Sequence, residues 1–321
     1  MSDQFDIAII TFRADELLKR CLRSIAQQSA QPENIWVIAT GETLPVLDKA
    51  SVLQAPNHSY AQAVNAAFER STNNLLLLND DTRLTANCLA ELCRHHTDET
   101  VLQPQITLLD RPGVVENCGH WIGRDASNTA RHRGQPKQHQ SPETIPCFSG
   151  AAVWLPFEVR HKIGQFDPSL SPFGEDVDYA IRCRRAGFEI KCVYSAIIEH
   201  KLGHSYGLSS RQKIAWVEEH RLRILWRHFP PQHQLSLMWT LKRYRWMAQG
   251  VQRFPELTRK NALIGIVSGW CNALQCLPAE LKKRREYRQA FVSTEYGFIN
   301  DVSRGVHREE VQHPSIKAGA S

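Results

Sequence analysis

Short apolar runs alternate with helical patterns through the first hundred residues, and this alternation limits the fold more than any other feature of the sequence. Residues 5–10, 35–39 and 75–78 are predominantly apolar and have the length of strands. Between them, residues 17–25 and 63–68 carry apolar side chains at helical spacing, and Asp15 and Ser59 precede these segments as candidate N-cap residues. Strands that alternate with helices form βαβ units, which build a mostly parallel sheet. We therefore predict an α/β fold whose first half is doubly wound and Rossmann-like.

The composition is that of a folded protein in a reducing compartment. Of 321 residues, 42% are hydrophobic and 22% charged, which excludes disordered, collagen-like and coiled-coil proteins. The nine cysteines form no Cys-x-x-Cys motif, so neither a disulfide framework nor a zinc ribbon is indicated. No basic segment followed by an apolar run begins the chain, and the apolar stretch 262–277 is shorter than a bilayer span. We expect a cytoplasmic protein without a membrane-spanning segment.

Positive charge is concentrated in the last third of the chain. Residues 211–290 hold 16 basic and 5 acidic residues, whereas the rest of the chain holds 23 basic and 28 acidic residues. A basic region suits an anionic membrane surface, a nucleic acid or a phosphate-bearing substrate, and charge alone does not choose among these partners.

The pattern changes after residue 100. The span 124–144 has almost no large apolar residues, so we expect a mobile loop over a binding site. Residues 148–155 indicate a strand, and residues 175–186 indicate a helix that ends at Gly187. Two short strands are expected before His200, and helices are expected after residue 209.

Asn79, Asp80 and Asp81 directly follow an apolar run of strand length. Ligands of open parallel sheets bind at the carboxyl ends of the strands, so a ligand is expected beside this group. Adjacent carboxylates repel each other unless a cation lies between them, and their hard oxygens suit Mg²⁺ or Mn²⁺ shared with a diphosphate. The alternative is structural, because Asn and Asp are common in turns and helix caps.

A second acidic group, Glu175, Asp176 and Asp178, begins the predicted helix. The helix dipole favours acidic residues in the first turn, and Asp178 is spaced to pair with Arg182, so a structural role is one reading. The other is that Glu175 or Asp176 acts as a general base. The helix N-terminus is expected to lower the pKa of such a carboxylate and keep it ready to accept a proton.

His200 and Lys201 follow the apolar residues 196–198. A histidine at a strand end commonly has a structural role. If its strand lies beside the one that precedes Asp81, His200 would instead ligate the same metal, with Lys201 near the phosphates.

These groups lie in five segments that follow one pattern in order. The segments are 7–13 with the turn Thr11-Phe12-Arg13, 76–82 with Asn79-Asp80-Asp81, 148–152 with Gly150, 164–178 with Glu175-Asp176, and 198–200 with His200. Together they resemble the inverting glycosyltransferases of family 2, which have the GT-A fold, and in particular their rhamnosyltransferase-like branch. The resemblance covers roughly residues 5–230.

The resemblance implies a nucleotide-diphosphate sugar as donor and a hydroxyl of a saccharide or lipid-linked saccharide as acceptor, in the synthesis of cell-surface polysaccharide. It implies Mg²⁺ or Mn²⁺ on Asp81 and His200, and Asp176 as the base that deprotonates the acceptor. One displacement would invert the anomeric carbon. The remaining implied contacts are to the donor from Thr11, Arg13, Asn79, Asp80 and Lys201, and to the substrate from Gly150 and Glu175.

We accordingly predict a GT-A catalytic domain over residues 1–208, with a nucleotide-sugar half at 1–100 and an acceptor half at 101–208. A basic helical region at 209–300 and a flexible tail at 301–321 follow. One departure from the family concerns the second strand, which usually ends in an aspartate. Here Ala39, Thr40 and Gly41 supply no carboxylate. Either Thr40 and backbone groups replace that contact, or the nucleotide preference differs, or donor binding is weak.

The basic C-terminal region has two interpretations. Its cations alternate with leucines and tryptophans, as in Arg221, Arg223, Arg227, Lys242, Arg243, Arg245 and the run 282–285. They would either lie on an anionic cytoplasmic leaflet or cap the catalytic domain, with cationic stems covering apolar surface. Two other functions compete with sugar transfer. One is sugar-nucleotide binding without catalysis; the other is nucleic-acid binding, for which the sequence has no recognition motif, so no nucleic-acid partner is expected.

Overall fold

A ten-stranded sheet forms the centre of the computed structural model, which describes residues 4–13, 15–201, 210–230 and 258–290. The strands of this sheet are β1 (Phe5–Thr11), β2 (Asn34–Ala39), β3 (Ser51–Gln54), β4 (Asn74–Asn79), β5 (Thr82–Leu84), β6 (Thr100–Leu108), β7 (Arg111–Asn117), β10 (Glu143–Thr144), β11 (Ala152–Leu155) and β12 (Glu189–His200). A separate two-stranded sheet contains β8 (His120–Ile122) and β9 (Asn128–Ala130).

Most of the long strands run in one direction. The main path is β10-β12-β6-β11-β4-β1-β2-β3, with β5 paired to β12 and β7 paired to β6. β1, β2, β3 and β4 are parallel, β12 is parallel to β6, and β11 is antiparallel to its neighbours β4 and β6. The predicted α/β fold with a mostly parallel central sheet and a C-terminal helical extension is confirmed. The domain boundaries stay a prediction.

Helices flank this sheet, and two of them begin at capping residues expected from the sequence. They are α1 (Glu16–Ala26), α2 (Tyr60–Arg70), α3 (Cys88–His95), α4 (Phe157–Ile163), α5 (Glu175–Arg185), α6 (Arg211–His228) and α7 (Arg259–Ala290), with a 3-10 helix at Pro168–Leu170. Asp15 accepts hydrogen bonds from the first-turn backbone of α1, and Ser59 forms a capping box with Gln62 at α2. α5 ends beside Gly187, whose φ is +92°.

Both faces of the sheet are buried because successive strand residues point to opposite sides. Ile7 and Ile9 of β1 belong to the apolar cluster that includes α1 and α3. Ala8 and Ile10 belong to the cluster that includes α2, α4 and α5. Strands buried on two faces are continuously apolar, which explains why the sequence runs were readable.

The polar span 124–144 is attached to the body more firmly than a lid would be. It contributes β9 and β10, and its Arg131 is 2% exposed. The guanidinium of Arg131 bonds to Glu143 at 2.8 Å and lies 4.6 Å from the ring centroid of Trp121. Polar side chains here bond to one another, so the shortage of apolar residues did not produce an unstructured loop.

The two short strands expected before His200 are one strand, β12. It has twelve residues, of which nine pair with β6, and the register shifts between Val193 and Ile197. An irregularity within one strand therefore accounts for the break in the apolar pattern.

Helices α6 and α7 pack closely on one another through small residues. A side chain on Gly269 would come within 2.5 Å of the carbonyl oxygen of Ala215, and one on Gly265 within 2.8 Å of that of Arg211. Glycine is needed at these two positions because the helix backbones approach each other.

Three arginines of α6 point inward. Arg221 pairs with Glu218 at 2.8 Å, and Arg223 pairs with Glu280 of α7 at 2.7 Å. Arg227 is fully buried. These three arginines therefore support the interpretation as a cap on the catalytic domain and do not form a membrane-facing surface. Lys242, Arg243 and Arg245 lie outside the described residues.

Arg227 joins three elements at one buried point. Its guanidinium lies 2.8 Å from Asp178 of α5, 2.8 Å from Asp167 and 2.6 Å from Glu280 of α7. Asp178 also pairs with Arg182 at 2.9 Å, as the spacing predicted. The α/β body and the C-terminal helices thus share one network of ion pairs.

α7 is long and apolar enough to cross a membrane by length and composition, and it is the one such helix among the described residues. The stretch 262–277, which looked too short for a span, is part of this 32-residue helix. Only 28% of its most apolar window is buried. The exposed large apolar side chains on α7 are those of Leu263, Val267, Leu274 and Leu281.

We expect Arg227→Ala to destabilise the protein by about 3–5 kcal/mol, because Asp167, Asp178 and Glu280 lose a shared buried cation. Urea unfolding followed by circular dichroism measures this free energy. Arg20→Ala, on the exposed side of α1, is the control and should cost less than about 0.5 kcal/mol. An equally small loss for Arg227→Ala would contradict the network's role.

Candidate active site

The carboxyl ends of β1 and β4 lie side by side because these strands are parallel neighbours, with Ile10 opposite Asn79. The Thr11 hydroxyl donates a hydrogen bond to a carboxylate oxygen of Asp80, and Asp80 N donates to the carbonyl of Ile10 at 3.3 Å. Asn79 N donates to the carbonyl of Ala151 at 3.0 Å. Three residues predicted to contact the donor, Thr11, Asn79 and Asp80, are thus brought together.

Asp81 and His200 meet because β5 pairs with the end of β12. His200 lies opposite Thr82 in this antiparallel pair, and Lys201 N donates to the carbonyl of Asp81 at 3.0 Å. Nε2 of His200 is therefore 3.1 Å from Oδ1 of Asp81. The side chains are 10% and 5% exposed, so water is largely excluded from the pair.

Glu116 of β7 contacts the other nitrogen of the His200 ring. Nδ1 of His200 donates to Oε2 of Glu116 at 2.7 Å, and Glu116 is 7% exposed. Burial alone would lower the pKa of His200, but the carboxylates of Asp81 and Glu116 raise it to about 10. Without a cation, the imidazole is therefore a buried imidazolium between two carboxylates.

The pair of Asp81 and His200 fits a divalent cation. Oδ1 of Asp81 is buried, and Nε2 of His200 lies 3.1 Å from it without a well-aligned hydrogen bond. A carboxylate oxygen and an imidazole nitrogen are both ligands that Mn²⁺ accepts. In the described part of the chain, no group of three or more His, Cys, Asp or Glu is arranged to hold a metal. Substrate oxygens and water would supply the remaining ligands.

Asp176 lies in the first turn of α5, and two backbone amides orient its side chain. Gly150 N donates to its Oδ2 at 3.1 Å, and Val177 N donates to its Oδ1 at 2.9 Å. The Tyr60 hydroxyl donates to the carbonyl of Gly150 at 2.5 Å, which holds that loop in place. Asp176 stays partly exposed, so a substrate can reach its carboxylate.

Glu175 is the buried member of the acidic pair. Its Oε2 accepts a hydrogen bond from Gly174 N at 2.9 Å. Burial, and then the charge of Asp176, raise the pKa of Glu175 to about 8. The expectation that the helix N-terminus lowers the pKa of the leading carboxylate is therefore wrong for Glu175, because burial outweighs the helix dipole.

Tyr60 lies within electrostatic reach of both acidic groups. Burial raises the pKa of its hydroxyl well above the usual value, and the charges of Glu175, Asp176 and Asp81 raise it further. The carboxylates that sequence reasoning selected from two distant segments are therefore both close enough to this tyrosine to affect its pKa.

Arg13 and Lys201, both predicted to contact the donor, have partly exposed side chains at the edge of this region. Nε of Arg13 is 3.6 Å from Asp15, and its side chain is 46% exposed. Nζ of Lys201 is 2.5 Å from Asp110, and its side chain is 40% exposed. Solvent-exposed pairs of this kind are weak, so either cation can turn toward a phosphate.

Sequence reasoning missed three residues of the site, namely Glu116, Tyr60 and His120. Glu116 and His120 lie in the Gly-punctuated stretch between residues 113 and 123, which has no strong periodicity. Burial lowers the pKa of His120, and the charges of Asp176 and Glu116 partly offset this effect. The sequence shows only that a Glu and a His lie among small residues in this stretch. Such a pattern does not predict that their side chains face the site.

The end of β2 has no carboxylate, and Thr40 contacts β1 instead. Its hydroxyl and its amide both donate to the carbonyl of Thr11, at 3.1 and 2.8 Å. A side chain on Gly41 would overlap the carbonyl oxygen and ring of Phe12. This turn is therefore closely packed against β1, and Thr40 stabilises the strand end that carries Thr11.

The start of α5 is supported by α6. Gly174 has a φ of +155°, and a side chain there would come within 2.8 Å of the Cβ of His220. Nδ1 of His220 lies within hydrogen-bond distance of the carbonyls of Pro172 and Phe173, at 3.0 and 3.1 Å. The turn before Glu175 and Asp176 is thus fixed by a contact from the C-terminal helices.

Comparison of the sequence with known families gives one match. The family model described as "Glycosyltransferase like family 2" matches residues 3–219. No curated protein sequence matches the chain.

The fold is similar to that of several solved structures. GalNAc-T7 with UDP, GalNAc and Mn²⁺ superposes with a TM-score of 0.55 at 14% identity, covering 87% of this chain and 57% of that one. The chain therefore spans less than two thirds of that relative's length. The Pyrobaculum calidifontis mannosyltransferase PcManGT with GDP-Man and Mn²⁺ gives 0.46 at 12% identity, covering 95% and 79%. S. aureus TarS 1–349 gives 0.48 at 14% identity, covering 98% and 93%. The likeness to GalNAc-T7 confirms the predicted GT-A fold.

The raised pKa of Glu175 predicts a pH-dependent stability. The neutral acid is favoured in the folded protein, so its contribution is complete below about pH 4.5 and is lost as the pH rises through about 8. We expect the unfolding free energy of wild type, relative to Glu175→Gln, to fall by more than about 1 kcal/mol between these limits. Urea unfolding at a series of pH values measures it. The exposed-site control Glu33→Gln should track wild type at every pH; a pH-independent difference for Glu175→Gln would contradict the assignment.

Proposed function

Since the chain belongs to glycosyltransferase like family 2, we propose that it transfers a hexosyl or deoxyhexosyl group from a nucleotide-diphosphate sugar, with inversion, to a hydroxyl of a saccharide acceptor. The observation that carries this proposal is that Asp81, which pairs with His200, and Asp176 are both close enough to Tyr60 for their charges to raise its pKa. Such a displacement uses a cation to stabilise the leaving diphosphate and a base to accept a proton. The pair of Asp81 and His200 suits the first task, and the accessible carboxylate of Asp176 suits the second.

Asp81 and His200 are the residues that would hold Mg²⁺ or Mn²⁺. Oδ1 of Asp81 and Nε2 of the adjacent imidazole would supply two ligands, which would leave coordination positions for a diphosphate. The related GalNAc-T7 structure contains UDP and Mn²⁺, in agreement with this choice. When bound, the cation would stabilise the negative charge of the departing diphosphate.

Asp176 is the group that would accept the proton of the acceptor hydroxyl. Glu175 beside it is unsuitable, because its pKa of about 8 keeps it protonated at neutral pH. Adjacent carboxyls with different environments can divide proton-accepting and hydrogen-bond-donating roles in this way. The amide of Gly150 keeps Asp176 oriented while Glu175 can donate a hydrogen bond to a sugar hydroxyl.

The remaining donor contacts follow from the strand ends. Thr11, Asn79 and Asp80 line the edge next to the cation pair, where the nucleoside would lie. Arg13 and Lys201 would turn from their partly exposed partners to the diphosphate. The rhamnosyltransferase-like branch and a role in cell-surface polysaccharide synthesis are part of the proposal and rest on the motif resemblance.

A sugar-nucleotide-binding protein without catalysis is the second candidate. It is favoured by one observation, the lack of a carboxylate at the end of β2, where Thr40 is engaged with Thr11. Nucleic-acid binding is less well supported, because Arg221, Arg223 and Arg227 form internal ion pairs.

The transferase proposal is tested with a panel of nucleotide sugars, each with and without Mn²⁺. We expect one donor to bind in the presence of Mn²⁺ and to release its nucleoside diphosphate when an acceptor is added. Asp81→Ala should weaken metal-dependent binding, whereas Asp176→Asn should bind donor and lose turnover by about 10²–10⁴-fold. Glu99→Gln, at an exposed position, is the control. Donor binding by wild type with no turnover on any acceptor would favour the noncatalytic candidate.

We also propose that the protein acts at the cytoplasmic face of a membrane on a lipid-linked acceptor, with α7 in contact with anionic lipid. Leu263, Val267, Leu274 and Leu281 are exposed and their spacing places them on one side of the helix. Exposed cations, Lys260, Lys282 and Arg285, lie near both ends of this side. Contact in the membrane plane would leave the ion pairs of Glu280 intact.

Vesicle sedimentation tests the α7 face. Val267→Asp/Leu274→Asp should reduce partition into phosphatidylglycerol-containing vesicles by at least about 10-fold, because two apolar side chains are lost from the lipid. Gln275→Asp/Gln289→Asp adds the same two charges at exposed polar sites and should have a much smaller effect. Two outcomes would contradict lipid contact through this face: no vesicle binding by wild type, or equal vesicle binding by the two variants.

A further inference from the structure

Glu116 lies on β7, which approaches the pair of Asp81 and His200 from a different part of the chain than β12 does. Its strand β7 pairs with β6, and β6 pairs with β12, which ends in His200. Glu116 and His200 are 84 residues apart in sequence and meet with Oε2 2.7 Å from Nδ1. We propose that Glu116 is a positioning residue that fixes the His200 ring for metal binding. This inference rests on the proposed function.

A β-bulge aims Glu116 at His200. In the β6–β7 pair, Ile106 is opposite Asn117 and Thr107 is opposite Val115, so Glu116 is the extra residue between two regular pairs. Bulges redirect one side chain out of the regular alternation and are common beside active sites. The local irregularity therefore has an identifiable result, the contact of Glu116 with the imidazole.

The hydrogen bond determines which nitrogen of His200 faces the cation. A carboxylate can only accept, so Nδ1 of His200 carries the proton that it donates to Glu116. The remaining nitrogen, Nε2, is the one 3.1 Å from Oδ1 of Asp81. Carboxylates that hold a metal-binding histidine in this manner orient the ring and strengthen the nitrogen ligand.

The surroundings of Glu116 support this role over a purely structural one. Glu116 is 7% exposed, and within the described chain its ion pair is with His200 and with no lysine or arginine. By contrast Glu199, the residue before His200, is also buried and pairs with Arg83. Two buried glutamates near the same histidine therefore have different partners, which provides a matched control.

Metal affinity tests the inference without relying on turnover. Mn²⁺ is titrated into the full chain in the presence of UDP or GDP, and free Mn²⁺ is measured by electron paramagnetic resonance. We expect Glu116→Ala to weaken Mn²⁺ binding by about 10–100-fold. Glu116→Gln keeps an acceptor oxygen of the same shape and should recover part of this loss. Glu199→Gln should stay within about 2-fold of wild type, although it removes a buried charge.

The outcomes separate this inference from the proposed function. Failure of wild type to bind Mn²⁺ with either nucleotide overturns both. A second outcome overturns the positioning role alone. In it, wild type binds Mn²⁺, Asp81→Ala removes this binding, and both Glu116 variants bind as well as Glu199→Gln. If Glu116→Ala does not fold, Glu116→Gln distinguishes the two roles. If Glu116 is merely structural, this variant has a lower melting temperature but an unchanged Mn²⁺ affinity. With a donor in hand, loss of activity that excess Mn²⁺ restores would support the role.

Discussion

The short antiparallel pairing of β5 with the end of β12 is the contact on which the site depends. It places His200 opposite Thr82, and the amide of Lys201 against the carbonyl of Asp81. Two segments more than a hundred residues apart are thereby held with Asp81 and His200 in contact. The carboxylates that follow β4 are buried and would repel each other. The backbone pairing places the His200 imidazole beside them, and its positive charge offsets this repulsion.

The parts of the fold that follow local rules could be predicted from the sequence. Apolar runs gave the parallel strands because both of their faces are buried, and Asp15 and Ser59 marked helix starts through their capping bonds. The strand-end position of Asp81 and the helix-start position of Asp176 follow from the same patterns. These rules use neighbours in sequence, so their information is present in a single chain.

The rest depended on contacts between distant segments. The role of Glu116 arises from a bulge in the β6–β7 pair, and no periodic pattern announces a bulge. The raised pKa of Glu175 follows from burial, which helix-dipole reasoning does not include. Arg227 appeared as surface charge because its partners, Asp167, Asp178 and Glu280, come from three separate parts of the chain.

The network around Arg227 bears on where this polypeptide can be divided. A cut at the predicted boundary between residues 208 and 209 would take away the cation beside Asp178, two positions after Asp176, and the imidazole of His220 that braces Gly174. Asp167, and Asp178 of α5, would then lose the buried cation that they share. Swapping the C-terminal helices between relatives would accordingly demand matching substitutions in α5, so the two regions are constrained to change as one unit.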